Sequence, residues 1–164
     1  MYNIKGRTGI NIETDTLMEI AQHPMIVGVK EASGDIDQMK EVLARRPADF
    51  TVLSGDDGMT LELMRAGGDG VISVASNIAP KEVSALVRHA ASGAWDEAEK
   101  VGAHLSEMFK KLFIESNPLP VKYCASRMGL CEPVYRLPMC MPTADSRDVL
   151  DQMLITYGLT TGRT

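Results

Sequence analysis

A lysine and a tyrosine stand where the sequence has little structural use for them. Lys30 follows the apolar, β-branched run Ile26-Val27-Gly28-Val29 without a break, so a buried strand delivers an amine at its end. Lysine is among the residues least often fully buried. A primary amine placed this way attacks ketones and aldehydes to form an imine, whose protonated form is an electron sink for carbanion chemistry. A free lysine titrates at about 10.4. Desolvation in a strand-end mouth disfavours its charged form and favours the attacking one. Tyr2, at the end of a neighbouring strand, offers a phenol to relay protons during that step. The plain alternative is a lysine held by Glu31 or Asp56 in an ion pair.

The elements that must position these groups alternate. Tyr2–Ile4 read as the end of a strand, Thr14–Gln22 as a helix with Thr14 or Asp15 near its cap, Ile26–Lys30 as a strand, and Asp35–Arg46 as a helix with Ile36, Met39, Val42 and Leu43 on one face. Phe50–Leu53 form a strand, Met59–Ala66 a helix closed by Gly67 and Gly68, Gly70–Val74 a strand and Pro80–Ser92 a helix. Strand–helix alternation implies parallel strands with right-handed crossovers. After Gly93 it gives way to three helices, Trp95–Ile114, Leu119–Met128 and Ala144–Tyr157.

Two architectures fit such a pattern. A doubly wound sheet would announce a nucleotide with GxGxxG after its first strand, and none is present; the "GGDG" at 67–70 enters a strand and reads as a turn. In a (β/α)₈ barrel the chemistry gathers at the C-terminal ends of the strands. Those ends read Tyr2-Asn3, Lys30-Glu31, Ser54-Gly55-Asp56 and Ala75-Ser76-Asn77, all polar or small. A whole barrel needs about 250 residues. The expected organisation is therefore a half-barrel over 1–93, a helical extension over 94–159 and a tail over 160–164.

Composition narrows the function classes. The chain has 164 residues and a net charge of −5, which disfavours a nucleic-acid surface. No apolar run approaches the roughly 20 residues of a membrane span, and the N-terminus has no basic and apolar leader. Three cysteines without CxxC spacing point to reduced thiols and a cytoplasmic location. His23, His89 and His104 have no ligand spacing, so no metal is expected. Asp56 and Asp57 read as helix-capping residues before they read as cation ligands. Open sheet edges make a homo-oligomer the expected state.

The words "YNIKGRTG" at 2–9, "GVKEASGD" at 28–35, "LSGDD" at 53–57, "GGDGVISVASN" at 67–77 and "NPLPVK" at 117–122 resemble, in order and spacing, the dihydrodipicolinate synthase family. The resemblance extends to about Leu159. It implies a class I aldolase-type barrel that condenses pyruvate with aspartate semialdehyde in lysine biosynthesis, with no cofactor beyond a covalent lysine imine. It also implies a C-terminal helical extension. By the same resemblance Lys30 is the Schiff-base lysine and Tyr2 the proton-relay tyrosine. Arg7 then holds the semialdehyde carboxylate, Gly55 and Ile72 lend backbone to the pyruvate site, and Asn117 belongs to a loop near the mouth. Simpler roles for three of these are a solvated loop arginine, a turn glycine and a core isoleucine.

Lys5 stands where the family usually has proline. The family's Gly-Thr-Thr segment, which binds the pyruvate carboxylate, has no counterpart in these 164 residues, which begin within the family's fifth strand. Two other readings stay open: a non-catalytic half-barrel that assembles or binds, and another pyruvate-dependent aldolase of the sialic acid lyase or ketodeoxygluconate aldolase kind.

Overall fold

The computed structural model describes residues 1–160; the expected tail lies, from position 161 on, outside the described residues. Four parallel strands form one sheet in the order β1 (Tyr2–Asn3), β2 (Gly28–Glu31), β3 (Thr51–Ser54) and β4 (Gly70–Val71). Sequential neighbours, all parallel, are the order of a singly wound barrel; a doubly wound sheet reverses direction at a switch point. Between the strands run α1 (Lys5–Thr8), α2 (Thr14–Ile20), α3 (Ile36–Arg45) and α4 (Thr60–Arg65). They are followed by α5 (Pro80–Ala91), α6 (Trp95–Lys111), α7 (Leu119–Arg127) and α8 (Ala144–Thr156).

The chain divides into two compact units. One comprises Met1–Ser73 with Ala85–Gly102; the other comprises Val74–Ser84 with the described residues from Ala103 onward. In the first, Leu17, Val29, Met39, Val42, Phe50, Val52 and Leu63 are buried together, with Ile12, Ile26, Ile36 and Leu43 packed against them. Thus the apolar stripe of α3 and the inward residues of β2 and β3 cover each other, which is the main stabilising term for such a layer. Asp35 caps α3 by accepting from the backbone N–H groups of Asp37 (3.0 Å) and Gln38 (3.1 Å). In the second unit α7 packs on α8. There Tyr123 Oη donates to Asp151 Oδ2 and Arg127 Nε to Asp151 Oδ1, each at 3.0 Å.

Several local expectations are corrected. The strand expected at 26–30 is Gly28–Glu31: Ile26 packs into the core before the ladder begins, Val27 is exposed, and Glu31 is a strand residue. The strand expected over Gly70–Val74 ends at Val71, and a 3₁₀ turn follows at Ala75–Asn77. Residues 5–8, expected as loop, form a helical turn closed by Gly9 in the left-handed conformation (φ 74°). Thr14 and Asp15 do lie near the cap of α2, directly after Glu13, and Thr14 Oγ1 donates to Glu41 Oε2 at 2.9 Å.

Candidate active site

The sheet register explains why the chemical residues meet. Tyr2 pairs with Lys30, Lys30 with Leu53, and Leu53 with Gly70; one step on, Asn3 pairs with Glu31, Glu31 with Ser54, and Ser54 with Val71. Side chains alternate between faces along a strand. The Tyr2–Lys30 row therefore projects from one face and the Asn3–Glu31–Ser54 row from the other. On the first face the Lys30 ammonium lies 4.0 Å from the centre of the Tyr2 ring. That is cation–π distance, and it also sets the phenol beside the amine it would serve. Lys30 is half-buried and Tyr2 46% exposed, so the pair is open to a small solute.

The expected ion pair of Lys30 is not formed. Glu31 points to the opposite face, where its carboxylate accepts from Asn3 and from the Ser33 backbone. Asp56 Oδ1 accepts from the Gly58 N–H at 2.7 Å as the cap of the 3₁₀ turn Asp57–Met59. Among the described residues Lys30 takes part in no ion pair.

Gly55 sits against the lysine stem. A Cβ on Gly55 would lie 3.1 Å from Lys30 Cε and 2.6 Å from Ala32 Cβ. Its N–H donates to Glu31 O at 2.7 Å, extending the ladder past β3. The missing side chain is what lets the lysine pass. Ile72, just beyond β4, donates its N–H to Ser54 O at 2.8 Å and is 46% exposed, so its side chain is not the core residue of the simpler reading. Arg7 is exposed on α1, the turn that leaves the C-terminal end of β1. Asn117 belongs to the second unit, two residues before α7. Sequence reasoning missed Asn3 and Glu31, both fully buried. The available signal was a polar residue directly after each of Tyr2 and Lys30, at strand positions whose alternation faces the core.

The family profile of the dihydrodipicolinate synthetase family matches residues 1–156. The chain belongs to that family. It is 46% identical over 159 residues to the 4-hydroxy-tetrahydrodipicolinate synthase of Koribacter versatilis, covering 97% of this chain and 53% of the relative. It is 44% identical over 158 residues to that of Methanosphaerula palustris, covering 96% and 54%. The dihydrodipicolinate synthase of Aquifex aeolicus superposes with a TM-score of 0.96 at 39% identity, covering 99% of this chain and 56% of that structure. A chloride-inhibited dihydrodipicolinate synthase of Acinetobacter baumannii, complexed with pyruvate, superposes with a TM-score of 0.93 at 37% identity, covering 96% and 54%. The chain thus spans about half the length of the curated dihydrodipicolinate synthases it matches, and its fold is half of a (β/α)₈ barrel with added helices. No described helix is long and apolar enough to cross a membrane.

Proposed function

We propose that this chain carries the Schiff-base half of a dihydrodipicolinate synthase site. Lys30 Nζ adds to the ketone carbon of pyruvate, the carbinolamine loses water, and the resulting imine gives an enamine whose methylene carbon attacks the aldehyde of aspartate semialdehyde. Tyr2 passes the protons that leave the amine and reach the departing hydroxyl. Arg7 holds the carboxylate of the semialdehyde, and Gly55 and Ile72 border the pyruvate. No cofactor takes part beyond the covalent imine. The observation that carries this reading is the Lys30 ammonium over the Tyr2 ring, 4.0 Å from its centre, on the open face of the sheet.

The test is to incubate the chain with pyruvate, reduce with borohydride and map the adduct by mass spectrometry. A single adduct at Lys30 is expected. Modification spread over Lys5, Lys40 and Lys122 would mark ordinary surface amines and overturn the reading. Turnover is a separate matter. Holding both reactants in place supplies about 7–11 kcal/mol of a barrier, and the Gly-Thr-Thr segment that anchors pyruvate in the family is not among these residues. The chain alone is therefore expected to show little synthase activity, and to gain it when mixed with a separately expressed N-terminal half of a relative.

A further inference from the structure

Behind the Tyr2–Lys30 pair, on the other face of the sheet, a polar network is built around a buried pair. Asn3 and Glu31 are both fully buried. Asn3 Nδ2 donates to Glu31 Oε2 (3.1 Å) and Oε1 (3.3 Å) and to Asn11 Oδ1 (3.0 Å), while Asn3 Oδ1 accepts from the Ile12 N–H (3.0 Å). Glu31 Oε1 also accepts from the Ser33 N–H at 2.7 Å, which fixes the turn that follows Lys30. Asn11 Nδ2 donates to Gln38 Oε1 (2.8 Å) and Gln38 Nε2 to Ile12 O (2.9 Å), tying the network to α3.

Burying a carboxylate is costly even when it is well bonded, and an apolar pair at 3 and 31 would fill the same place more cheaply. What the network supplies is register. The described β1–β2 register consists of two residue pairs, Tyr2–Lys30 and Asn3–Glu31. So short a ladder specifies its alignment weakly, and a slip of one residue would turn Tyr2 to the opposite face. The Asn3–Glu31 bond sits one step beyond Tyr2–Lys30 in the same strand pair and forms only in the observed alignment.

We propose that Asn3 and Glu31 are positioning residues for the Schiff-base site, a buried clamp that locks β1 onto β2 so that the Tyr2 ring stays over the Lys30 amine. As a statement about chemistry it rests on the reading of Lys30 as the nucleophile. Neither residue touches the reacting atoms; each acts through the strand it holds.

The test compares Glu31→Gln, Asn3→Asp and the double variant. Glu31→Gln sets an amide NH₂ against the Asn3 NH₂, and Asn3→Asp sets carboxylate against carboxylate. The double variant restores a donor–acceptor pair with its direction reversed. Two quantities are read in folded protein. One is the ring-current displacement of the Lys30 ε-methylene protons in NMR, a direct measure of the Tyr2 ring above them. The other is the rate of borohydride-trapped pyruvate adduct at Lys30. Each single variant should lose the displacement and slow trapping about tenfold or more, with the double variant recovering most of both, as coupled partners do. Should a single variant fail to fold, Asn11→Ala leaves the Asn3–Glu31 bond, removes an outer acceptor of Asn3 together with the Asn11 donor to Gln38 and Glu13, and should move both quantities in the same direction by less. Single variants that keep both, or a double variant no better than the worse single, would overturn the clamp. A parent chain that shows the displacement, loses it in the single variants and regains it in the double, yet forms no adduct at Lys30, would support the clamp and overturn the nucleophile reading alone.

Discussion

The ammonium of Lys30 stands 4.0 Å from the centre of the Tyr2 ring, and the two residues are direct partners in the parallel pairing of β1 with β2. On the proposed reading the phenol would serve the amine in two separable ways, through its face and through its hydroxyl. Tyr2→Phe keeps the face. Because Tyr2 is 46% exposed, its melting temperature should barely move. Proton relay contributes about 10²–10⁴-fold to such steps, so Lys30 imine formation should slow by about that range. Tyr2→Leu should in addition lose the cation–π contact, worth about 0.5–1 kcal/mol at an exposed site. Adduct mass spectrometry over time checks both, and equal rates for parent and Tyr2→Phe would leave the hydroxyl without a role.

Gly55→Ala tests the path of the lysine stem. The new Cβ would fall 2.6 Å from Ala32 Cβ and 3.1 Å from Lys30 Cε, so backbone or lysine must shift. Overpacking of this kind costs about 1–3 kcal/mol. Urea unfolding should report that loss, and pyruvate trapping at Lys30 should fall even in the folded fraction.

Asp69 sets part of the acid stability. Burial opposes its ionisation, but the hydrogen bond from Arg46 and the Val52 N–H at 2.8 Å together outweigh burial and hold its carboxyl below the ordinary value. A carboxyl depressed in the folded state stabilises above its unfolded value of about 4 and loses that contribution as pH falls through the lowered value. Asp69→Asn should cost about 0.5–1.5 kcal/mol near neutrality, kept towards the low end by solvent screening. The gap between parent and variant should close as urea titrations are carried below about pH 4.

The three cysteines should separate by reactivity. Burial, reinforced by the charge of Asp151, pushes the Cys124 thiol up to about 12, whereas Cys131 and Cys140 are exposed. The thiolate is the nucleophile. Iodoacetamide at mildly alkaline pH should label Cys131 and Cys140 in the native chain and reach Cys124 only after denaturation, as read by peptide mass spectrometry.

The sheet ends at β1 on one side and β4 on the other. Unpaired edge groups template association. Sedimentation of the 164-residue chain should show species heavier than a monomer that grow with concentration. A single monomer mass across dilute and concentrated samples would count against this.

The sequence by itself determined the alternation of strands and helices, the amine at the end of β2 and the small or polar residues at the neighbouring strand ends. Those properties are local: β-branched runs, helical stripes and turn glycines act within a few residues of themselves. Tertiary structure alone decided what the strand ends do to one another. Glu31 reads locally as the first loop residue after a lysine and as its natural ion-pair partner. Pairing with Asn3 instead makes it a strand residue, and the pleat then turns its carboxylate away from Lys30 into the protein. Ile72 reads as core because it is apolar, yet in this chain it is 46% exposed. Register between strands separated by a whole helix is set by which long-range contacts close together, and no window of sequence contains both partners. That is why the lysine was legible in the chain, and the ring above it and the clamp behind it were not.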